Sequence, residues 1–294
     1  MKRKVVIIGG GFAGLACLSW LAREKKMLDI TLIDKAGEFN FLPLLPDTLG
    51  RGIHPGHLTC SLENITSKLG VRFLCAAVGA VDLEKKQITA KAAALDYDYL
   101  VIACGSETNF YGNEQVRRCA FKLDDARDAM LIRAALADDK FDGYVVSGGG
   151  YTGIEVATNL RLYLQKKAKN KRVVIVERAP SILGPLPEWM KAYVADNLRA
   201  LGIECFTNTV IEKVEGRTIY LQGADKIDNA MLIWAAGVKT ADFIQNLKIE
   251  KNPQGRMKVD AYLRLDEHCY VVGDAAYVSY QNTFLRMAVQ FAIM

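Results

Sequence analysis

A chain of 294 residues is long enough for about two domains with sizeable cores, and its 51% hydrophobic and 24% charged residues are an ordinary globular balance. The net charge of +5 is spread along the chain, nothing resembles a nucleic-acid motif, and no aromatics interleave with the basic residues, so a nucleic-acid partner is not expected. No apolar run reaches the roughly twenty residues that a bilayer span requires.

Taken in order, the chain enters a strand within four residues, which leaves no room for a signal peptide and points to an intracellular, cytoplasmic protein. Val5-Val6-Ile7-Ile8 reads as a strand buried on both faces, as in a parallel sheet. It runs into Gly9-x-Gly11-x-x-Gly14 and then an apolar helical pattern from Leu15 to Ala22. Such a corner lets the chain turn off the strand, lets backbone approach a pyrophosphate, and aims a helix N-terminus at it. A second strand, Asp29 to Asp34, ends in an acid twenty residues after Gly14, where a carboxylate can take the adenosine ribose hydroxyls. A glycine-rich turn without a ligand is the bland alternative, but strand, helix and acid all fall where a dinucleotide site needs them.

Glu38 to Pro46 is apolar and proline-broken, and reads either as a packing loop or as a wall along the cofactor. His54 and His57 flank a turn at Pro55-Gly56 and read as structural or solvated. A short helix is expected from Leu58 to Leu69, a strand at Val71 to Leu74, and antiparallel strands within Val78 to Thr89 about a turn at Glu84-Lys85-Lys86. The buried strand Tyr97 to Ala103 ends at Cys104-Gly105, an end that should face the first cofactor.

From Asn113 the composition turns polar, and a helix start fits Leu123 to Met130. The opening device then repeats. Gly143 to Ser147 leads into Gly148-Gly149-Gly150-Tyr151-Thr152-Gly153, and the strand Arg172 to Val176 closes on Glu177, twenty-four residues after Gly153. Two such units imply two dinucleotides, and the economical pairing is a flavin and a nicotinamide exchanging a hydride. The basic run Lys166 to Arg172 reads as a solvated loop, with docking to anionic lipid or an acidic partner as its alternative. A helix follows from Pro187 to Leu201, closed by Gly202, and the unit ends at Ala235-Ala236-Gly237. The strand Val271-Val272 then ends in Gly273-Asp274 and leads towards a helix, which puts a carboxylate at the ligand edge. A last helix is expected from near Arg286, and it meets Met294 without a stop signal, which suggests a truncated C-terminus.

Five stretches resemble the type II NADH dehydrogenases, the single-subunit NADH:quinone oxidoreductases, within the FAD/NAD-linked pyridine nucleotide-disulfide oxidoreductases. They are Val6 to Leu15, Phe41-Leu42-Pro43-Leu44-Leu45, Gly148 to Ala157, Trp234 to Val238, and Ala288-Val289-Gln290-Phe291-Ala292. The resemblance implies an α/β fold of two Rossmann-like domains, the second inserted in the first. The expected bounds are 1–112 and 242–294 for the FAD-binding domain and 113–241 for the NAD-binding domain.

It also implies a set of site residues. FAD would lie on Gly9, Gly11, Phe12, Ala13 and Gly14, with Asp34 on the adenosine ribose, Lys35 beside it, and Asp274 near the ribityl chain. Pro43, Val78, Ala103, Cys104, Gly105, Gly273 and Ala275 complete that cofactor-binding set. NADH would lie on Gly148, Gly150, Tyr151, Thr152 and Gly153, with Glu177 on its ribose and Gly237 at the end of the unit. Glu177 should repel a 2′-phosphate and favour NADH over NADPH, although Arg178 keeps NADPH open. Glu155 matches the glutamate beside the nicotinamide–flavin contact, and Gln290 a glutamine of the quinone stretch; these two are the catalytic candidates. The second glutamine of that stretch would fall at Met294. A quinone is then the expected acceptor, a homodimer is compatible, and contact with the cytoplasmic face of a membrane would run through a region beyond Met294.

The seven cysteines form no C-x-x-C or C-x-x-x-x-C pair, so electrons are expected to leave directly from the flavin. Three histidines without ligand spacing predict no metal site. A ferredoxin or rubredoxin reductase, a sulfide:quinone oxidoreductase and a slow redox sensor that binds both nucleotides remain as alternatives.

Overall fold

The computed structural model describes residues 1–91, 93–223, 226–280, 283–284, 287 and 289–293. Arg286, where the last helix was expected to start, Ala288 of the Gln290 stretch and Met294 lie outside the described residues.

Packing divides the chain into two units. The first comprises Met1–Asn40, Cys60–Glu107 and Val238–Met294, and the second Phe41–Thr59 and Thr108–Gly237. The parting thus falls at 107/108 and 237/238 rather than at 112/113 and 241/242, and it adds a segment that sequence order had left with the first unit.

In the first unit β1 (Arg3–Ile8) is followed by α1 (Phe12–Leu21), β2 (Leu28–Asp34), β3 (Arg72–Cys75) and β4 (Tyr99–Ile102). The sheet runs strand Cys269–Val271, β4, β1, β2, β3, every pair parallel. The uninterrupted Val5-Val6-Ile7-Ile8 occupies the centre, where both faces are covered. Val5 and Ile7 pack with Leu18, Leu32 and Leu62 on one face, while Val6 and Ile8 pack with Ile33, Leu100 and Ile102 on the other. This is the alternation that a strand of period two imposes.

The helix expected from Leu58 begins only at Leu62, because Ser61 caps it by accepting from the Asn64 N–H at 3.2 Å. Pro55–Leu58 is instead a 3-10 turn and Thr59–Ser61 is extended. The turn at Glu84-Lys85-Lys86 joins Val78–Asp82 to Gln87–Ala90, and a third strand, Ala93–Asp96, completes a small antiparallel sheet.

In the second unit β5 (Gly143–Ser147), α2 (Tyr151–Lys166), β6 (Arg172–Val176), β7 (Ile203–Phe206) and β8 (Ala230–Trp234) repeat the plan, with strand order β7, β6, β5, β8, all parallel. Asp125 caps the helix Ala126–Ala137 by accepting from Asp128 N–H at 2.9 Å. The helix Glu188–Ala200 starts one residue after Pro187, and the following Gly202 sits at φ +66°.

Segment 41–59 is bolted into this unit by side chains of two helices. Arg133 donates to the carbonyls of Thr48 at 2.6 Å and Ile53 at 2.8 Å. Lys166 donates to the Gly50 carbonyl at 2.8 Å, and Asn159 to the Asp47 carboxylate at 3.1 Å. Leu49 is buried among Ile132, Leu136, Val156 and Leu160, and Leu45 and Leu58 pack with Ala126 and Ala129.

Candidate functional site: two glycine corners closed by acids

Each unit turns from its first strand into its first helix through the same geometry. Gly9 and Gly148 stand at φ +107° and +106°, a region that disfavours any side chain. A Cβ on Gly14 would strike the Gly9 carbonyl, and one on Gly153 the Gly148 carbonyl, so the helix packs against the turn at the closest distance backbone allows. Neither helix has a side-chain cap; the N-cap positions are Gly11 and Gly150, and a Cβ on either would meet nothing within 4 Å. Bare helix N–H groups beside open space are what a phosphate group needs.

The acids at the ends of β2 and β6 are tied to these corners. Asp34 accepts from Gly10 N–H at 2.8 Å through one oxygen and from Ala36 N–H at 2.7 Å through the other. Glu177 accepts in the same way from Gly149 N–H at 2.6 Å and Ala179 N–H at 2.7 Å. Each oxygen keeps a lone-pair position after this bond, so the same carboxylate can hold the loop and accept a hydroxyl. Arg178 follows as an exposed side chain.

In the first unit several expected residues meet at the carboxyl ends of the strands. A Cβ on Gly9 would fall on the Ala103 carbonyl and 2.7 Å from the Cys104 Cα, and one on Gly273 2.9 Å from the Ala13 Cβ. Gly105 follows at φ +65° in open space. Gly273–Ala275 forms a 3-10 turn that leads to the short strand Ala276–Tyr277, not directly into a helix. Asp274 accepts from the Ser106 hydroxyl at 2.9 Å, and burial raises its carboxyl above the ordinary range against the Ser106 bond and the Arg256 charge.

Other candidates are placed differently. The Phe12 ring meets Phe39 edge-on at 5.0 Å, and Lys35 is exposed and paired with Glu107 at 3.0 Å. Val78 packs against the core cluster of Ile33 and Ala76. Pro43 is exposed on the segment that packs in the second unit, and Gln290 is exposed on the helix Val289–Ile293.

In the second unit Tyr151 and Thr152 are exposed at the start of α2. Glu155 is exposed as a residue, yet loss of solvent around its carboxyl, followed by the charge of Asp47, raises its proton affinity. Gly237, at φ +80°, lies under the Tyr111 ring, which fills the space of a Cβ. Tyr111 is held there by an Asx turn, its N–H donating to Asn109 Oδ1 at 2.8 Å, while Trp234 Nε1–H donates to the Asn109 carbonyl at 2.9 Å.

Sequence reasoning missed Asp47, Ser106, Tyr111 and Arg256. Only Ser106, next to Gly105, carried a positional hint. All seven cysteines are free, and burial pushes the Cys104 thiol up to about 12. Among the described residues no group of three or more His, Cys, Asp or Glu could hold a metal ion.

Two parallel sheets, each turning through a glycine corner closed by its own acid, define the class of two-domain, nucleotide-dependent oxidoreductases. The chain belongs to the pyridine nucleotide-disulphide oxidoreductase family, whose sequence pattern matches residues 3–292. It is similar to the demethylphylloquinone reductase NdbB of Synechocystis, at 26% identity over 94% of this chain and 72% of that protein. It is similar also to the type II NADH:quinone oxidoreductase NdhA of Mycobacterium tuberculosis, at 27% identity over 94% of this chain and 67% of that protein. The resemblance to type II NADH dehydrogenases therefore holds.

Among solved structures, NDH2 of Plasmodium falciparum in complex with NADH superposes with a TM-score of 0.83 at 26% identity, over 94% of this chain and 65% of that one. Reduced Bacillus anthracis CoADR-RHD superposes at 0.88 and 23% identity over 100% of this chain and 55% of that one, a likeness of fold.

Proposed function

We propose that the chain oxidises NADH and passes the electrons to a quinone, with FAD on the corner at 9–14 and NADH on the corner at 148–153. The observation that carries this reading is the duplicated corner, open at Gly11 and Gly150 and closed behind by Asp34 and Glu177. The residues fit two dinucleotides: bare N–H groups for the diphosphates and a carboxylate with spare lone pairs for each ribose. When bound, the flavin and nicotinamide rings supply the hydride chemistry, and the protein supplies position and charge.

Asp34 and Glu177 each hold a ribose while keeping the glycine loop in shape. Asp274 accepts from the flavin's ribityl chain. Glu155, whose carboxyl favours its proton more than an ordinary glutamate does, orients the nicotinamide or holds a proton at its carboxyl oxygen. The negative Glu177 disfavours a 2′-phosphate, so NADH is the preferred coenzyme and NADPH, beside Arg178, the poorer one. The reading places the protein at the cytoplasmic face of a membrane, where quinones dissolve. No helix among the described residues is long and apolar enough to cross one.

The test is anaerobic titration of separate samples of the FAD-loaded protein with NADH, NADPH or sulfide, followed by a soluble quinone, ferricyanide, ferredoxin or rubredoxin as acceptor. Bleaching by NADH and rapid reoxidation by the quinone is the expected result. Bleaching by sulfide, reoxidation only by a protein acceptor, or slow turnover with every acceptor would replace the reading with one of its rivals. A thiol as heavily protonated as Cys104 gives no support to the sulfide route.

A further inference from the structure

Beneath the turn that carries Asp274 lies a buried arginine that no expectation included. Arg256 is 6% exposed. Its Nε–H donates to the Asp274 carbonyl at 3.1 Å and its Nη2–H to the Ala276 carbonyl at 2.5 Å, so one guanidinium ties the middle of the turn to the start of the strand that follows it. On the side-chain end, the Ser106 hydroxyl donates to Asp274 Oδ2 at 2.9 Å. A buried cation is costly unless it is bonded and electrostatically balanced, and here the Asp274 carboxylate provides the balancing charge.

We propose that Ser106 and Arg256 form a two-point clamp that fixes the turn Gly273–Ala275 and holds Asp274 as an ionised acceptor for hydroxyls of the flavin's ribityl chain. This rests on the flavin reading of the first corner. Without the clamp, burial favours the protonated acid, which offers one acceptor position fewer and no charge. Among the described residues, these groups lie around Asp274. Ser106 comes from the loop after β4, Arg256 precedes the strand Met257–Lys258, and Tyr277 lies on the strand Ala276–Tyr277 with its ring 5.7 Å from the guanidinium. The neighbours of Gly273 from α1 and from the helix Val289–Ile293 are the methyl groups of Ala13 and Ala292, which carry no charge. Ser106 and Arg256 are thus positioning residues: they act through Asp274.

The experiment measures FAD affinity of the full-length apoprotein by flavin-fluorescence quenching between pH 5 and 8. Wild type, R256M, R256K, S106A and D274N are compared. For R256M the dissociation constant rises about tenfold at pH 7, and the acid-side loss of affinity moves up by about one pH unit. S106A moves it in the same direction by less, R256K keeps the wild-type midpoint by keeping the charge, and D274N removes the pH dependence.

If R256M does not fold, S106A against D274N decides. An unmoved midpoint, with affinity unchanged or reduced equally at every pH, overturns the clamp. Wild-type apoprotein that binds no FAD at any pH would instead remove the flavin reading, and the clamp with it. The two failures are therefore told apart by the wild-type curve alone.

Discussion

Glu155 stands in the second turn of α2, exposed but with a carboxyl that burial and Asp47 push towards protonation. An acid whose folded proton affinity exceeds its unfolded one destabilises the fold where it is ionised. The cost is small near pH 4, where most of the acid is protonated in both states, and grows as pH rises through the unfolded value of about 4.3. It is complete above the folded value. Glu155→Gln should therefore melt at a higher temperature than wild type at pH 7, with the difference small near pH 4. Thermal denaturation followed by circular dichroism at the two pH values checks the sign, and equal shifts at both would contradict it.

At this scale the placement of Asp34 and Glu177 at strand ends beside the glycine corners was legible from spacing alone. Their bonds to Gly10 and Gly149 N–H were not legible, because they depend on the path of a loop. Arg256, Asp47 and Tyr111 belong to no spacing rule and emerge only when distant stretches are brought together.

The corners behave as elements, and their glycines separate two kinds of damage. Gly14→Ala puts a methyl group on the Gly9 carbonyl, which neither helix nor strand can yield to, and should cost about 3 kcal/mol or more in urea denaturation. Gly11→Ala meets no protein atom within 4 Å and sits at φ −80°, so its stability should stay within about 1 kcal/mol of wild type. On the proposed flavin reading its FAD affinity should nevertheless fall, because the methyl group would occupy the space where the pyrophosphate is proposed to lie. Gly11→Ala that bound FAD as wild type does would show that the phosphates lie elsewhere.

Arg133 is the corresponding bolt of segment 41–59, with two carbonyls on one guanidinium nitrogen. Arg133→Met should destabilise by about 2–4 kcal/mol and open Phe41–Thr59 to protease, because two carbonyls lose a charged donor. Hydropathy favours burial of Leu45, Leu49 and Leu58, as of any leucine. It held no information on which core would bury them, since any apolar surface satisfies an isolated leucine.

At the level of the molecule, the chain passes between its two units at 40/41, 59/60, 107/108 and 237/238. The doubly wound architecture was readable because its strands are continuous apolar runs that each end in a distinctive turn. Two passages were not, because a nineteen-residue stretch without a long helix or strand announces no allegiance of its own. A fragment of residues 108–237 should consequently expose the surface that Leu45, Leu49 and Leu58 cover, bind a hydrophobic dye and aggregate. Restoring 41–59 through a flexible linker should give a monomeric, cooperatively melting fragment. A well-behaved 108–237 alone would mean that the segment adds little.

The four passages also bear on how the protein is made. On a ribosome, Phe41–Thr59 emerges before the strands and helices that receive it, and waits about 180 residues, roughly 10–40 s at ordinary elongation rates, for the last of them. The sheet that opens the sequence stays unfinished longer still, since its edge strand is Cys269–Val271. The second unit can close once residue 237 is made, whereas the first waits for Cys269–Val271, so the nascent chain carries unshielded leucines for most of its synthesis, and its yield in the cell should depend on chaperones that bind apolar segments at the exit tunnel.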